Sequence, residues 1–389
     1  MDNCDKGKKI GILTMYYNSA NYGGLLQAYA LVKYLNNRGY DAKQISYDFS
    51  KMTININATD KQVQRKTIIK IKKSIKKYLT NCNNALHGLT EYRSIRQEMC
   101  KDFRESIPHT KNVYDINTLK DVVNDFDVFI TGSDQVWNPN GYRPGFFLTF
   151  VDGKEKMKIA YAASISNTIS ANALSTYKEA LKDFTRISVR EEADVDVIKN
   201  ITNKAVLWAL DPVFLLNQDE WTSVASDIKE LIDEPYLFCY FLGESIKQRI
   251  MVKEYAESKG LKIVTIPFLQ GDYRECDRNF GDYQFKKISP NQFLGLIRGA
   301  ECIFTDSFHA TAFSLVFHRP FIVFERYGHP EMIERIKSVT RLFGSESHLI
   351  AKENMSVEFL KGIILDNRIK YDSDEFIKLL TESEKILDI

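Results

Sequence analysis

Short, mostly apolar runs alternate along the chain with longer stretches in which apolar residues recur every three or four positions. The runs predict buried strands at Ile10–Met15, Ala42–Tyr47, Asp127–Thr131, Lys158–Ala163, Arg186–Val189 and Ala205–Leu210. Between the first two, Leu26, Tyr29, Ala30 and Tyr34 keep helical spacing, so the opening fifty residues read as a βαβ unit. Strands without polar alternation, separated by helices, imply a parallel sheet covered on both faces. The pattern then restarts. Strands at Tyr236–Leu242, Lys262–Ile266, Glu301–Thr305 and Phe321–Phe324 alternate with helices at about Ser245–Ser258, Asn291–Gly299, His309–His318 and Pro330–Phe343. The expectation is an α/β protein of two Rossmann-like domains facing a cleft, residues 1–210 and 211–389, the second ending in a helix, with a seam near Asp211–Asn217.

An insertion at about 51–110 breaks the alternation. Within it Lys61–Thr80 carries eight basic residues and no acidic one, with Ile68, Ile71, Ile75 and Tyr78 on one helical stripe. Two readings fit: a solvated helix packed on its domain by that stripe, or a helix resting on an anionic membrane surface.

A length of 389 residues favours two domains. With 44% hydrophobic and 27% charged residues the chain is globular, and a formal charge of +2 excludes a surface built throughout for nucleic acid. The cysteines Cys4, Cys82, Cys100, Cys239, Cys276 and Cys302 form no C-x-x-C pair, which argues against structural zinc and a disulfide framework and for a reducing compartment. Neither a signal-peptide core nor an apolar run of about 20 residues is present. A cytoplasmic protein is expected, with the basic insertion as its one route to the inner face of a membrane.

Candidate chemistry sits where strands hand over to helices. Asn21-Tyr22-Gly23-Gly24-Leu25-Leu26-Gln27 joins a strand to a helix start, where glycines admit a ligand to the backbone and free N–H groups attract anions or hydroxyls. It is neither G-x-G-x-x-G nor a Walker loop, so no nicotinamide or P-loop site is supported. The turn Gly132-Ser133-Asp134-Gln135-Val136-Trp137-Asn138 presents a carboxylate, an amide and an indole, groups that hold sugars; the alternative is an Asx-type turn with Trp137 as a core anchor. Arg190 follows a strand and either forks onto a carboxylate or phosphate or pairs with Glu191 or Glu192. In Thr305-Asp306-Ser307-Phe308-His309, the histidine enters the first turn of a helix, whose dipole disfavours the imidazolium and suits a neutral base; a capping histidine is the alternative. Glu325-Arg326 and Glu334-Arg335 either line the same cleft or form a solvated face. No G-x-S-x-G elbow supports a hydrolase, and no cluster has metal-ligand spacing.

In order along the chain, Asn21–Leu31, Gly132–Pro139, Tyr161–Ser164, Ser188–Glu191, Asp211–Phe214 and Thr305–Ala310 resemble the polysaccharide pyruvyl transferase family across about residues 9–345. The resemblance implies a GT-B-like pair of domains and transfer of a pyruvyl unit from phosphoenolpyruvate to a sugar as a cyclic ketal. It implies no cofactor or metal, phosphoenolpyruvate being a co-substrate, and it implies a sugar acceptor on a polysaccharide or lipid-linked precursor. It assigns His309, as acid/base, with Arg190 and Arg335 to catalysis, and Arg190, Arg335, Ser307 and His309 to the donor, with Arg326 as the alternative to Arg335. Asn21, Tyr22, Gly23, Gln27, Gly132, Ser133, Asp134, Trp137 and Asn138 fall to the acceptor side. Two rivals stand beside it: a nucleotide-sugar glycosyltransferase of the same architecture and a noncatalytic glycan-binding protein.

Overall fold

The structure, a computed structural model, describes residues 7–50, 56, 77–78, 80–327, 333–350, 356–362 and 369–389. The chain divides into two compact units: Met1–Ser74, Arg104–Leu216 and Lys378–Ile389 form the first, Ile75–Phe103 and Asn217–Ile377 the second.

The first unit holds strands β1 (Lys9–Leu13), β2 (Asp41–Tyr47), β3 (His109–Tyr114), β4 (Val128–Thr131), β5 (Met157–Ala163), β6 (Arg186–Val189) and β7 (Val206–Trp208), in spatial order β3-β2-β1-β4-β5-β6-β7. Every pairing is parallel. Parallel neighbours need crossovers that cover both faces, which is why β1, β4 and β5 are apolar without alternation. The helix Tyr22–Asn37 buries twelve of its 16 residues, so it is apolar nearly all round. Asn21 caps its start.

The second unit repeats the plan with β8 (Tyr236–Tyr240), β9 (Lys262–Thr265), β10 (Tyr283–Gln284), β11 (Cys302–Thr305), β12 (Phe321–Phe324) and β13 (Leu349–Ile350), ordered β10-β9-β8-β11-β12-β13 and again parallel. Ser245 caps the helix Ile246–Lys259, and Gly260, at φ +64°, ends it in the left-handed conformation that costs glycine least. Ser289 and Gln292 close a capping box at the helix Pro290–Gly299.

Two expectations are corrected. The last helix, Asp374–Ile386, is not simply a tail of the second unit. Its end returns to the first: Ser383 Oγ accepts from Leu210 N at 2.9 Å, Arg38 pairs with Asp388 at 2.8 Å, and Arg186 Nη1 donates to the carbonyls of Ile386 and Asp388. The insertion does not stay with the domain that contains it in sequence, because its later part is fixed to the second unit by hydrogen bonds from Asn84 and Arg93 to the 269–273 loop. The expected amphipathic helix Lys61–Thr80 falls outside the described residues except for 77, 78 and 80. The edge strand β3 was missed because His109–Tyr114 is mostly polar and only Tyr114 is buried.

Candidate active site: the carboxyl edges of the two sheets

In each sheet the connections leave two neighbouring strands in opposite directions, β1 and β4 in the first and β8 and β11 in the second. Beyond the carboxyl ends of such strands α/β proteins open a crevice.

At the first crevice the loop after β1 and the turn after β4 lie in close contact. A Cβ on Gly132 would stand 2.4 Å from Thr14 Cγ2, so only glycine lets the two approach. Asp134 takes a left-handed φ of +71°, held by Ser164 N and Val136 N on its carbonyl at 3.0 and 2.7 Å. That turn sets its carboxylate over the start of the helix Tyr22–Asn37: Oδ2 is 3.5 Å from where a Cβ on Gly24 would be. The first helical turn has no acidic residue of its own, so Asp134 supplies the negative charge that the helix dipole favours. Asn21 is exposed, Tyr22 and Gly23 are buried, and the fully buried Gln27 donates to Gly24 O at 2.9 Å. Gln27 Oε1 has no hydrogen-bond partner among the described residues. Asn21, Gln27 and Asp134 are thus brought together.

The rest of the expected acceptor set turns inward. Trp137 is 0% exposed, donates Nε1–H to Phe146 O and stacks on Phe147 at 5.5 Å, so its rings cannot stack on a sugar. Asn138 caps its own turn, accepting from Asn140 N at 2.9 Å. Ser133 is buried and donates to Asp211 Oδ2 at 2.9 Å. Arg190 is 5% exposed and its fork is filled: Nη1 meets Asp211 Oδ2 at 2.9 Å and Nε meets Glu191 Oε1 at 3.2 Å. Burial pushes its pKa down, but Glu191, Asp211 and Asp134 outweigh that and hold it above the ordinary value. The expectation of an open fork is therefore corrected. The pairing alternative had named Glu191 but not Asp211, the other filling carboxylate, which lies 21 residues away.

The second crevice is arranged around Asp306. This carboxylate, 1% exposed, accepts from Leu242 N and Gly243 N at 2.7 Å each and so draws the loop after β8 onto the tip of β11. Gly243 is required there, since a Cβ would stand 2.8 Å from Asp306 Oδ2 and 3.2 Å from Tyr327 N. Burial holds the Asp306 pKa above the ordinary carboxylate value against Arg326, the two N–H groups and Arg249. Ser307 caps the helix Phe308–Val316 through Ala310 N, and His309 is the half-buried second residue of that helix, edge-on to Phe308. Arg326 donates Nη2–H to Asp306 O at 2.9 Å, while its Nε lies 3.9 Å from Asp306 Oδ1 with no hydrogen-bond partner among the described residues. Ser307 and His309 therefore share the turn after β11, and Arg326, just past β12, reaches that turn through Asp306 O. Arg335 is 6% exposed within the helix Ile333–Leu342.

Several members of this edge were missed. Arg249 donates to Gly243 O, Ser245 O and Asp277 Oδ1, and Arg274 donates to Leu242 O. Gln248 is buried with Oε1 lacking a hydrogen-bond partner among the described residues. The available signal was Leu242-Gly243-Glu244-Ser245, a strand end, a glycine and a helix cap, the layout already noted at Asn21–Gly24.

The sequence pattern of the family described as "Polysaccharide pyruvyl transferase" matches residues 21–327. The chain belongs to that family. Family membership makes it a transferase acting in carbohydrate chemistry, and the matched span contains Arg326 but stops short of Arg335. No curated protein matches the sequence. Among solved structures, it is similar to a UDP-N-acetylglucosamine 2-epimerase of Rickettsia bellii, at 10% identity over 98% of this chain and 95% of that one with a TM-score of 0.53. It is also similar to S. aureus MnaA, solved with UDP, at 12% identity over 98% and 95% with a TM-score of 0.54. A putative UDP-N-acetylglucosamine 2-epimerase from Listeria monocytogenes gives 12% identity over 98% and 95% with a TM-score of 0.50. At such identities the likeness is one of fold, and the fold is GT-B.

Among the described residues no group of three or more histidines, cysteines and carboxylates could hold a metal ion, and no helix is long and apolar enough to cross a membrane.

Proposed function

We propose that this family member moves a pyruvyl unit from phosphoenolpyruvate onto two hydroxyls of one sugar in a polysaccharide or lipid-linked precursor. The observation that carries the reading is the grouping of Ser307, His309 and Arg326 around Asp306, inside the span matched by the family. Phosphoenolpyruvate brings a phosphate and a carboxylate. Arg326, which reaches this turn through Nη2 on Asp306 O and lies inside the matched span, is the cation we assign to it, in place of the buried Arg335. Ser307 adds a hydroxyl and the start of its helix adds N–H groups.

The reaction needs a proton delivered to the methylene carbon, which becomes a methyl group and leaves an oxocarbenium-like centre at C2. One sugar hydroxyl attacks there and loses its proton, the C2–O bond to phosphate breaks, and a second hydroxyl attacks and loses its proton to close the ketal. The products are the ketal and inorganic phosphate. His309 is the group assigned to these transfers, since an imidazole gives and takes protons near neutrality. Arg190 is a positioning residue in this reading. Its pairs with Asp211 and Glu191 hold the Ser133–Asp134 turn, which with Asn21 and Gln27 faces the acceptor. The lipid-linked acceptor and the basic segment Lys61–Thr80 together suggest reversible binding at an anionic membrane.

Phosphate release from phosphoenolpyruvate across a panel of lipid-linked and aryl hexosides tests the proposal. Release that requires a hexoside supports it. Thermal protection by a uracil nucleotide with no release from phosphoenolpyruvate would replace it with a nucleotide-sugar transferase, and glycan binding with no phosphate release from any donor would leave a binding protein.

A further inference from the structure

The later part of the insertion builds a pocket that none of the expected site residues touches. A cavity of about 150 Å³ lies between that segment and the loop after β9, both in the second unit. One wall carries His87 and Tyr92 and the other Phe268, Tyr273 and Arg274, with Lys286 at the side. The walls are fastened to each other. Arg93 donates to the carbonyls of Leu269 and Gly271, Asn84 Oδ1 accepts from Tyr273 N at 2.8 Å, and the rings of His87 and Tyr273 stack at 3.6 Å and 4°.

Two cations stand over ring faces, Arg274 3.8 Å from the centroid of Phe268 and Lys286 4.3 Å from that of Tyr92. Arg278 is a third lining cation, paired with Glu275 at 3.2 Å, and Arg274 has Glu244 at 3.3 Å. The single lining carboxylate, Asp277, already accepts from Arg249. Lys286 is therefore the cation whose contact is a ring rather than a carboxylate. Aromatic faces attract the positively polarised C–H bonds of a pyranose, and a cation at the rim selects an anionic substituent. A pocket of this size has room for a sugar ring.

We infer that this pocket binds a single acidic monosaccharide unit, a pyranose bearing a carboxylate or phosphate. It communicates with the Asp306 turn: Arg274 donates to Leu242 O, and Leu242 N donates to Asp306. A unit held here is a neighbour of the sugar to be pyruvylated, an assignment that rests on the pyruvyl-transfer reading above.

Calorimetry on the full-length protein without phosphoenolpyruvate tests the pocket independently of the reaction. The probes are glucuronate, glucose 1-phosphate, methyl glucoside and inorganic phosphate. Binding of either acidic sugar, with methyl glucoside and phosphate each about tenfold weaker, is expected; which acidic sugar binds more tightly distinguishes carboxylate from phosphate. Lys286→Gln should weaken the acidic sugar about tenfold, and His87→Ala, which removes one stacked ring, should weaken acidic sugar and methyl glucoside alike. Equal binding of methyl glucoside, equal binding of phosphate, unchanged affinity in folded Lys286→Gln, or no binding at all would each overturn the inference. If acidic sugars bind as expected while no hexoside supports phosphate release, the reaction fails and the pocket stands.

Discussion

The carboxyl edges of the two sheets share a plan and differ in what they do with charge. In each, the first strand of the unit leads to a capped helix with glycine near its start, Gly23 and Gly24 inside the first turn or Gly243 just before the cap, and a glutamine in the first two turns, Gln27 or Gln248, is buried with an amide oxygen that lacks a hydrogen-bond partner among the described residues. In each, the neighbouring strand ends in an aspartate, Asp134 or Asp306. At the first edge the arginine is interior: Arg190 is held between Asp211 and Glu191 and stiffens the turn. At the second edge the aspartate is interior and closed by two backbone N–H groups, while the half-buried Arg326 donates to its carbonyl and lies 3.9 Å from its carboxylate through Nε. The same pair of residue types thus makes a brace in one unit and, in the function proposed above, a donor site in the other. What decides the role is which partner is desolvated.

The largest test of that contrast is His309, which only the second edge possesses. His309→Gln should lower phosphate release per folded molecule by roughly 10²- to 10⁴-fold with the melting temperature little changed. A normal turnover with a lowered melting temperature would make His309 a structural residue of its helix.

Next comes the brace. Arg190→Ala leaves two buried carboxylates uncompensated and should cost about 3 to 5 kcal/mol of folding stability, read by urea unfolding. A variant that keeps wild-type stability but loses affinity for phosphoenolpyruvate would move Arg190 from brace to donor site. Arg326→Ala should show the opposite split. Donor affinity should fall about tenfold or more, the worth of a charge-assisted contact of roughly 1.5 to 3 kcal/mol, measured on folded protein because Arg326 also faces the buried Asp306. Arg335→Ala, at a buried position, should instead cost stability.

The smallest effect expected is a pH dependence. Burial raises the Asp306 pKa, so the folded state holds this proton more tightly than the unfolded chain does. Its stabilising contribution is then fully present below the unfolded value of about 3.9 and declines as pH rises toward the raised folded value. Asp306→Asn abolishes that decline. The stability gap between wild type and variant should narrow as pH rises from about 4, and a gap that widens would mean the carboxylate is stabilised in its charged form.

Both edges were legible in the sequence because their strands are buried on two faces and read as uninterrupted apolar runs, with glycine, cap and polar residues marking where each run ends. The short outer strands β10 and β13, two residues each, gave no such signal. The motif around Trp137 was legible as a turn but not as to which way its ring points, because an aromatic residue beside Asp and Asn reads the same whether it faces a ligand or packs on Phe147. Likewise Arg190 and Asp211 are 21 residues apart, and nothing in either segment announces the other. The insertion hid its role for a related reason. Its lysines dominate the composition, whereas the residues that build the pocket, His87 and Tyr92, belong to a later stretch without conspicuous pattern.

The return of residues 378–389 to the first unit bears on how the protein can be made. Five of that unit's strands, β1 to β5, precede residue 164, and all seven precede residue 209, yet the partners of Arg38, Arg186 and Leu210 lie beyond residue 380. A ribosome that has already delivered the whole first sheet must still synthesise the second before the first can be sealed. The nascent sheet therefore waits, with Leu210 N and Arg186 unsatisfied by their final partners, through the translation of more than a hundred residues that belong to the other unit. Shortening the gene by its last dozen codons would consequently injure the half of the protein encoded at its beginning.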